Sequence, residues 1–518
     1  MRRTFLRLAL IAAVAAIAIP AQANWTASGQ LSYEHREWDS NGFTGIVVNL
    51  PVRYADVEIV DASKPKLTRL ALGKTDASGN FSIAVTDSST RAKVRARILS
   101  STTATSDLFV RVTTQGGSIY AGNTSDSLNH GPNTNVNWGS MVALAFAGGE
   151  VYNILDRGIY GADYVQSLTG SRPNSSKLVT FKWEASAGVT VSTTSGSTVT
   201  LRDSAGYDDT VILHEWSHYV MNNYSKVTNP GGTHFLSDCF EDPRLAFDEA
   251  RASFFGCSVR RYYGWANANV YVRTDGGQGP GHALNWYNLE SPEQYACQGD
   301  TSEVSNSRAM WDIGDSASTN DTTPGVEDTP PDALSLPDLE PWQVFTGPIK
   351  NVTYVTAESF WDGWFDPTIL NGNYQQMKDI WNFFPIEFWH DAFEPNNTTA
   401  TAPLLTANGP IIHLNYFYDS NGDGKGEADT DLFKFNAVSG QIYRVETINL
   451  FNANDTNLEL LDTNGTTVLT SNNDRATGDK SSKITWTAPR SDVFYIRSKH
   501  ASGGYTIYGS YDLFLANP

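Results

Sequence analysis

Sulfur is scarce in this 518-residue chain, which has only three cysteines and five methionines. Cys239, Cys257 and Cys297 all fall in its middle third. A fold stapled by several disulfides is therefore excluded, and one bridge with one thiol left over is the most that an oxidising compartment permits. Positive charge is scarce too: 37 Lys and Arg stand against 56 Asp and Glu, for a formal net charge of −19. Nucleic-acid binders present a basic surface, so no nucleic-acid partner is expected. Beyond residue 19 no apolar run approaches the ~20 residues that cross a bilayer, and no membrane anchor is expected either. What remains is an acidic chain long enough for two or three domains at ~100–200 residues each.

The one long apolar run is at the start. Arg2, Arg3 and Arg7 precede Leu8 to Ile19, and Ala21-Gln22-Ala23 has the small-x-small form of a cleavage site. Residues 1–23 are read as an export signal cut near Ala23, which places the mature protein outside the cytoplasm, extracellular or periplasmic in a bacterium. Arg2-Arg3-Thr4-Phe5-Leu6 also resembles a twin-arginine signal. In that compartment Cys239 can pair with Cys297 or with Cys257; spacing does not choose.

Residues 214–218 read His-Glu-Trp-Ser-His, after the apolar lead Val211-Ile212-Leu213. On a helix His214 and His218 lie one turn apart on one face, so both imidazoles can reach one metal ion. Glu215 sits beside them, placed to hold a water rather than the metal. This H-E-x-x-H arrangement is that of zinc metallopeptidases. The bland alternative is a surface helix carrying two histidines, and the apolar flanks speak for a buried one.

A third ligand is needed. The metzincin continuation, with glycine and then a third histidine, fails because those positions are Met221 and Tyr224. The segment Leu245 to Gly256 offers Glu249, which shares a helical face with Ala246, Ala250 and Ser253. Asp248-Glu249-Ala250 with Ser253 and Gly256 resembles the third-ligand helix of thermolysin-like gluzincins, and the resemblance implies Glu249 as the ligand. The chain departs from that pattern at Ser253, where the family has an aspartate that orients a ligand histidine. The support is then expected from Asp208 or Asp209. Asp248, Glu241 and His234 are rivals for the third ligand.

The chain flanking this segment reads as β-structure. Val94 to Ile98, Val57 to Ile59 and Phe109 to Val112 alternate apolar and polar residues, as strands with one buried face do. Pro51 to Asp61 followed by Thr75 to Ser82 resembles the transthyretin-like, carboxypeptidase-regulatory β-sandwich, giving a domain over 24–125. Asn135 to Gly139 reads as a polar linker and Met141 to Asp156 as a helix opening the middle domain, 135–388. Val304 to Ile313 reads as an amphipathic helix, Thr319 to Pro341 as a long loop. The aromatic residues of 359–384 recur at helical spacing and are expected in the core. Over 391–518, the series from Glu394-Pro395-Asn396 through Asp429 to Phe435 and Val493 to Arg497 resembles the bacterial pre-peptidase C-terminal domain, another β-sandwich. The alternating oxygens of Asp419, Asn421 and Asp423 suit calcium; an acidic hairpin loop is the alternative.

The expected fold is thus multidomain, an α+β zincin-like catalytic domain flanked by two all-β sandwich domains. The expected function is that of a secreted zinc metallopeptidase with a protein or peptide substrate, His214, His218 and Glu249 holding zinc and Glu215 acting as general base on the attacking water. Tyr224, His234, His282, Tyr287 and Arg308 are candidates to stabilise the oxyanion. A non-catalytic adhesin on a degenerate zincin scaffold is the alternative, against which the intact Glu215 speaks; hydrolysis of something other than a peptide is a further one.

Overall fold

The computed structural model describes residues 24–290, 297–315, 334–502 and 510–518, apart from 353, 365, 367, 370, 385, 387–392, 419–426, 449 and 451–453. Residues 1–23, expected to be an export signal, the calcium candidates Asp419, Asn421 and Asp423, and most of the loop expected over 319–341 lie outside the described residues. Among the described residues no helix is long and apolar enough to cross a membrane.

The strand Trp25–Asp39 organises the larger part of the chain. It pairs antiparallel with Gly42–Pro51 and Asn80–Val85, and parallel with Val136–Ala143. Gly42–Pro51 in turn pairs with Gly281–Asn288, and that strand with Val270–Thr274, so one sheet joins segments far apart in sequence. This corrects the reading of 135–143: the expected linker and helix start are a strand, and the helix begins only at Gly149. Residues 125–135 are also no boundary in the apolar core, which runs without a break from Trp25 to Ile386. A second sheet has the order Thr193–Ser195, Thr198–Thr200, Val179–Lys182, Val110–Thr113; its pairs are parallel except for the antiparallel edge strand Thr193–Ser195. A third gathers Thr68–Lys74, Asp56–Asp61, Arg91–Leu99, Ala121–Asn123 and Ser127–His130.

Among the described residues seven α-helices complete this part: α1 Gly149–Thr169, α2 Asp209–Tyr224, α3 Pro243–Tyr262, α4 Glu303–Trp311, α5 Leu339–Thr346, α6 Ala357–Trp364 and α7 Tyr374–Phe383. Helix α1 lies in the core, and two close approaches explain its glycines. A side chain at Gly158 would run into Val110 and Phe181, and one at Gly161 into Trp216 of α2. Phe360, Trp361, Trp364 and Trp381 are buried, as their helical spacing predicts.

From Ile412 onward two four-stranded antiparallel sheets face each other around a separate core that includes Leu414, Phe433, Phe435, Leu460, Phe494 and Leu513. The inward alternation along Asp492–His500 shows why: every second residue is buried. The described residues thus form a multidomain chain of several β-sheets with a helical layer.

Candidate metal centre

Helix α2 is anchored before it reaches its histidines. Asp208 caps it, its carboxylate accepting from the Val211 amide, and is itself held by Arg202 and by the Thr274 amide on Val270–Thr274. Asp209 accepts from Asn153 of α1 at 2.9 Å and from Arg157 at 3.2 Å. Burial works to raise its pKa, but the Arg157 guanidinium and His35 more than offset that and hold it below the usual carboxylate range. Both aspartates therefore fix the start of α2; neither touches a ligand histidine.

Helix α3 crosses α2 closely because Gly256 permits it: a side chain there would meet the backbone of Leu213 and His214 at 3.1–3.2 Å. The small residue at this crossing carries Glu249, two turns earlier, to the histidine pair. The structure brings together the three residues expected from sequence. Glu249 Oε2 lies 3.1 Å from His214 Nε2 and 3.1 Å from His218 Nε2, and the two nitrogens are 3.2 Å apart. Four atoms held at ~2.1 Å around a tetrahedral zinc stand roughly 3.4 Å from one another. His214 and Glu249 are buried, and His218 is partly so.

Each ligand is oriented from behind. Ser253 Oγ is 3.0 Å from His214 Nδ1, and Asp248 Oδ2 is 3.5 Å from His218 Nδ1. An Asp248 carboxylate can only accept, so it fixes the proton on Nδ1 and leaves Nε2 of His218 as a lone pair aimed at Glu249. Arg251 and the Asn229 amide hold Asp248, and Asn229 Nδ2 lies 3.4 Å from Glu249 Oε1. The expectation that Asp208 or Asp209 replaces the missing aspartate is therefore corrected: Ser253 itself fills that place. A signal was available, since Ser253 is one turn beyond Glu249 on the same face. Lone pairs converging in this way repel unless something positive lies among them. Burial disfavours a charged His218, but Glu249 and Asp248 outweigh it and hold its pKa well above the usual histidine value. Conversely, Glu249 is held well below its usual value, the two histidines overcoming the effect of burial. The three residues could hold a metal ion, and their donor chemistry fits zinc.

Glu215 follows His214 on α2 and lies outside the converging trio. Thr194, on the edge strand Thr193–Ser195, brings its hydroxyl to 2.7 Å from Glu215 Oε2 and 2.9 Å from its carbonyl oxygen. No local pattern in Thr193-Thr194-Ser195 announces this contact. Of the oxyanion candidates only His234 reaches the ligand set, with Nε2 3.7 Å from Glu249 Oε2. Tyr224 packs on Trp342, His282 pairs with Asp275, Tyr287 meets Ser307 and Arg308 donates to the Asn288 carbonyl.

Among the described residues two other groups of ligand-type side chains converge. His234, Glu241 and Glu303 have donor atoms within 4.8 Å of one another, as do Glu394, Asp429 and Asp431 in the C-terminal sandwich. Burial, reinforced by the neighbouring Glu303, pushes the Glu241 carboxyl up to about 8. Cys239 and Cys297 form a disulfide beside the first of these groups, and Cys257 is a buried free thiol.

No family model matches this sequence, and no curated protein matches it. Among solved structures it is similar to the pre-peptidase C-terminal domain of a collagenase from Bacillus anthracis, at 14% identity over 22% of this chain and 92% of that one, with a TM-score of 0.16. It is also similar to PliG, a periplasmic inhibitor of g-type lysozyme from Aeromonas hydrophila, at 16% identity over 22% of this chain and 94% of that one, TM-score 0.16. A third is a 9R-lipoxygenase from Cyanothece, at 15% identity over 32% and 27% of the two chains, TM-score 0.16. Likenesses of this size carry no argument about function, which rests on the geometry above.

Proposed function

We propose that this chain is a zinc-dependent metallopeptidase of gluzincin type, acting on protein or peptide substrates outside the cytoplasm. The observation that carries this reading is the convergence of His214 Nε2, His218 Nε2 and Glu249 Oε2 at 3.1–3.2 Å, with each histidine oriented from its far side. Bound to these atoms, zinc supplies a Lewis acid for a carbonyl and a water of lowered pKa. The remaining work belongs to the chain. Glu215, steadied by Thr194, takes a proton from the attacking water and returns it to the departing amine as the C–N bond breaks. The strand Thr193–Ser195 ends its sheet and has no second strand partner among the described residues. Its backbone offers a template along which an extended peptide can add, and Thr194 ties that template to the base. A mixed sheet with one antiparallel edge lying against α2 supports a zincin-like catalytic domain. In the C-terminal sandwich, Glu394, Asp429 and Asp431 are an all-oxygen group suited to calcium.

The test is hydrolysis of a denatured protein by the purified chain beside Glu215→Gln, with zinc assayed in both. Zinc in both and a 10²- to 10⁴-fold slower variant, the usual worth of a general base, is the expected result. Equal rates would remove Glu215 from the chemistry, and a wild type that takes up no zinc would overturn the reading.

A further inference from the structure

We propose that His234, Glu241 and Glu303 form a second site for a divalent transition-metal ion, separate from the His214, His218 and Glu249 set and independent of the peptidase reading. Three segments supply its donors. His234 comes from the connection between α2 and α3, Glu241 from just before the α3 cap at Asp242, and Glu303 from the first turn of α4. His234 Nδ1 lies 2.9 Å from Glu303 Oε2, and one donor atom of each residue falls within 4.8 Å of the others.

Glu241 supports this site independently. It is 9% exposed, and both of its carboxylate oxygens are buried with no hydrogen-bond partner. A carboxylate shut away from water without donors is costly, and native structures rarely tolerate it. Charge is unbalanced as well. Among the described residues no Lys or Arg forms an ion pair with Glu241 or Glu303, and the only ion pair of Glu303 is with His234. That single imidazole stands among three carboxylates, since its Nε2 also faces Glu249 at 3.7 Å. One divalent ion would supply ligation for the Glu241 oxygens and compensate the surplus.

The donor set indicates which ion. One imidazole nitrogen with two carboxylates suits zinc, manganese or cobalt, whereas calcium takes oxygen alone. The His234 side chain is 33% exposed, which leaves a route for the ion and for water to complete its coordination. A cation here ties the α2–α3 connection to the start of α4, on the same stretch that the Cys239–Cys297 disulfide fastens.

The experiment strips the purified chain with chelator and titrates it with Zn²⁺, reading bound zinc per chain and confirming by circular dichroism that each variant is folded. Wild type is expected to bind one ion more than Glu241→Gln, and one ion more than His214→Ala. The double variant Glu241→Gln/His214→Ala should bind two fewer than wild type. If Glu241→Gln does not fold, His234→Asn, changed at a partly exposed position, takes its place. Zinc is also expected to raise the unfolding temperature of His214→Ala but not that of the double variant. The proposal is overturned if Glu241→Gln and His234→Asn bind as much zinc as wild type, with affinities within about twofold. In that case His234 and Glu303 are simply an ion pair. Loss of binding in His214→Ala alone would leave the first site standing and remove the second.

Discussion

The strands before residue 131 and those after residue 411 are built on the same alternation of apolar and polar residues but bury it differently. The later strands face one another, and their core closes on itself through residues such as Phe433, Phe494 and Leu513. The earlier ones turn inward on the rest of the molecule. Trp25, Tyr33 and Val57 share a core with Val211, Phe255 and Trp381, and Trp25–Asp39 is flanked by strands on both sides. The difference continues in the polar interactions. Tyr33 donates to Asp156 at 2.8 Å, Arg157 donates to the Tyr33 oxygen at 3.0 Å, and the same guanidinium reaches Asp209 at the start of α2. A buried chain of hydrogen bonds therefore runs from the first strand to the helix that carries the histidines. One β-region closes a core of its own, and the other shares its core with the helix that carries His214 and His218.

Cutting the chain at either end is the strongest way to break this comparison. Removal of 24–130 takes away the strand at the heart of the main sheet, and the remainder is expected to lose cooperative unfolding and zinc binding at His214 and His218, as read by calorimetry and metal assay. Next in size is Asp209→Asn. It leaves Arg157 buried beside a neutral partner, and breaking a buried ion pair on one side costs about 3–5 kcal/mol, measurable by denaturant unfolding. Because the folded pKa of Asp209 is depressed, the stability it contributes is present above its unfolded value of ~3.9 and lost as pH falls further. Wild type should therefore lose its advantage over Asp209→Asn below about pH 4. Ser253→Ala leaves both cores intact and frees only the His214 ring; zinc affinity is expected to fall about 10- to 100-fold, with little change in unfolding. The smallest effect belongs to removal of 393–518, which should leave the unfolding temperature of the remainder and its zinc binding at the histidine pair nearly unchanged. A large drop there would break the comparison from the other side.

The parts of the site carried by one helix face were legible in the sequence. His214 and His218 are one turn apart, so local spacing suffices for the pair; Glu249 comes from a resemblance that leaves Asp248, Glu241 and His234 as rivals, and the structure places it against both histidines. What local spacing cannot show is contact between distant segments. Asn135 to Gly139 reads as a polar linker and Met141 onward as the start of an alanine-rich helix; Val136–Ala143 is a strand because Trp25–Asp39, a hundred residues earlier, accepts it as a parallel partner. Thr194 escapes for the same reason, its role resting on a contact with Glu215 across a sheet edge. At Ser253 the departure from the expected aspartate points to support from Asp208 or Asp209, yet the Ser253 hydroxyl itself stands 3.0 Å from His214 Nδ1.

The disulfide between Cys239 and Cys297 encloses 58 residues of chain, and α3 with Glu249 lies inside that ring while both histidines lie outside it. In the chain-entropy account, a closure of this length removes enough freedom from the unfolded chain to stabilise the fold by about 4 kcal/mol. The same sequence in a reducing compartment forgoes that contribution, and α3 is then held to α2 by packing and hydrogen bonds alone. Redox state thus separates two forms of the chain: a looser dithiol form under reducing conditions, and a cinched form once Cys239 and Cys297 are joined.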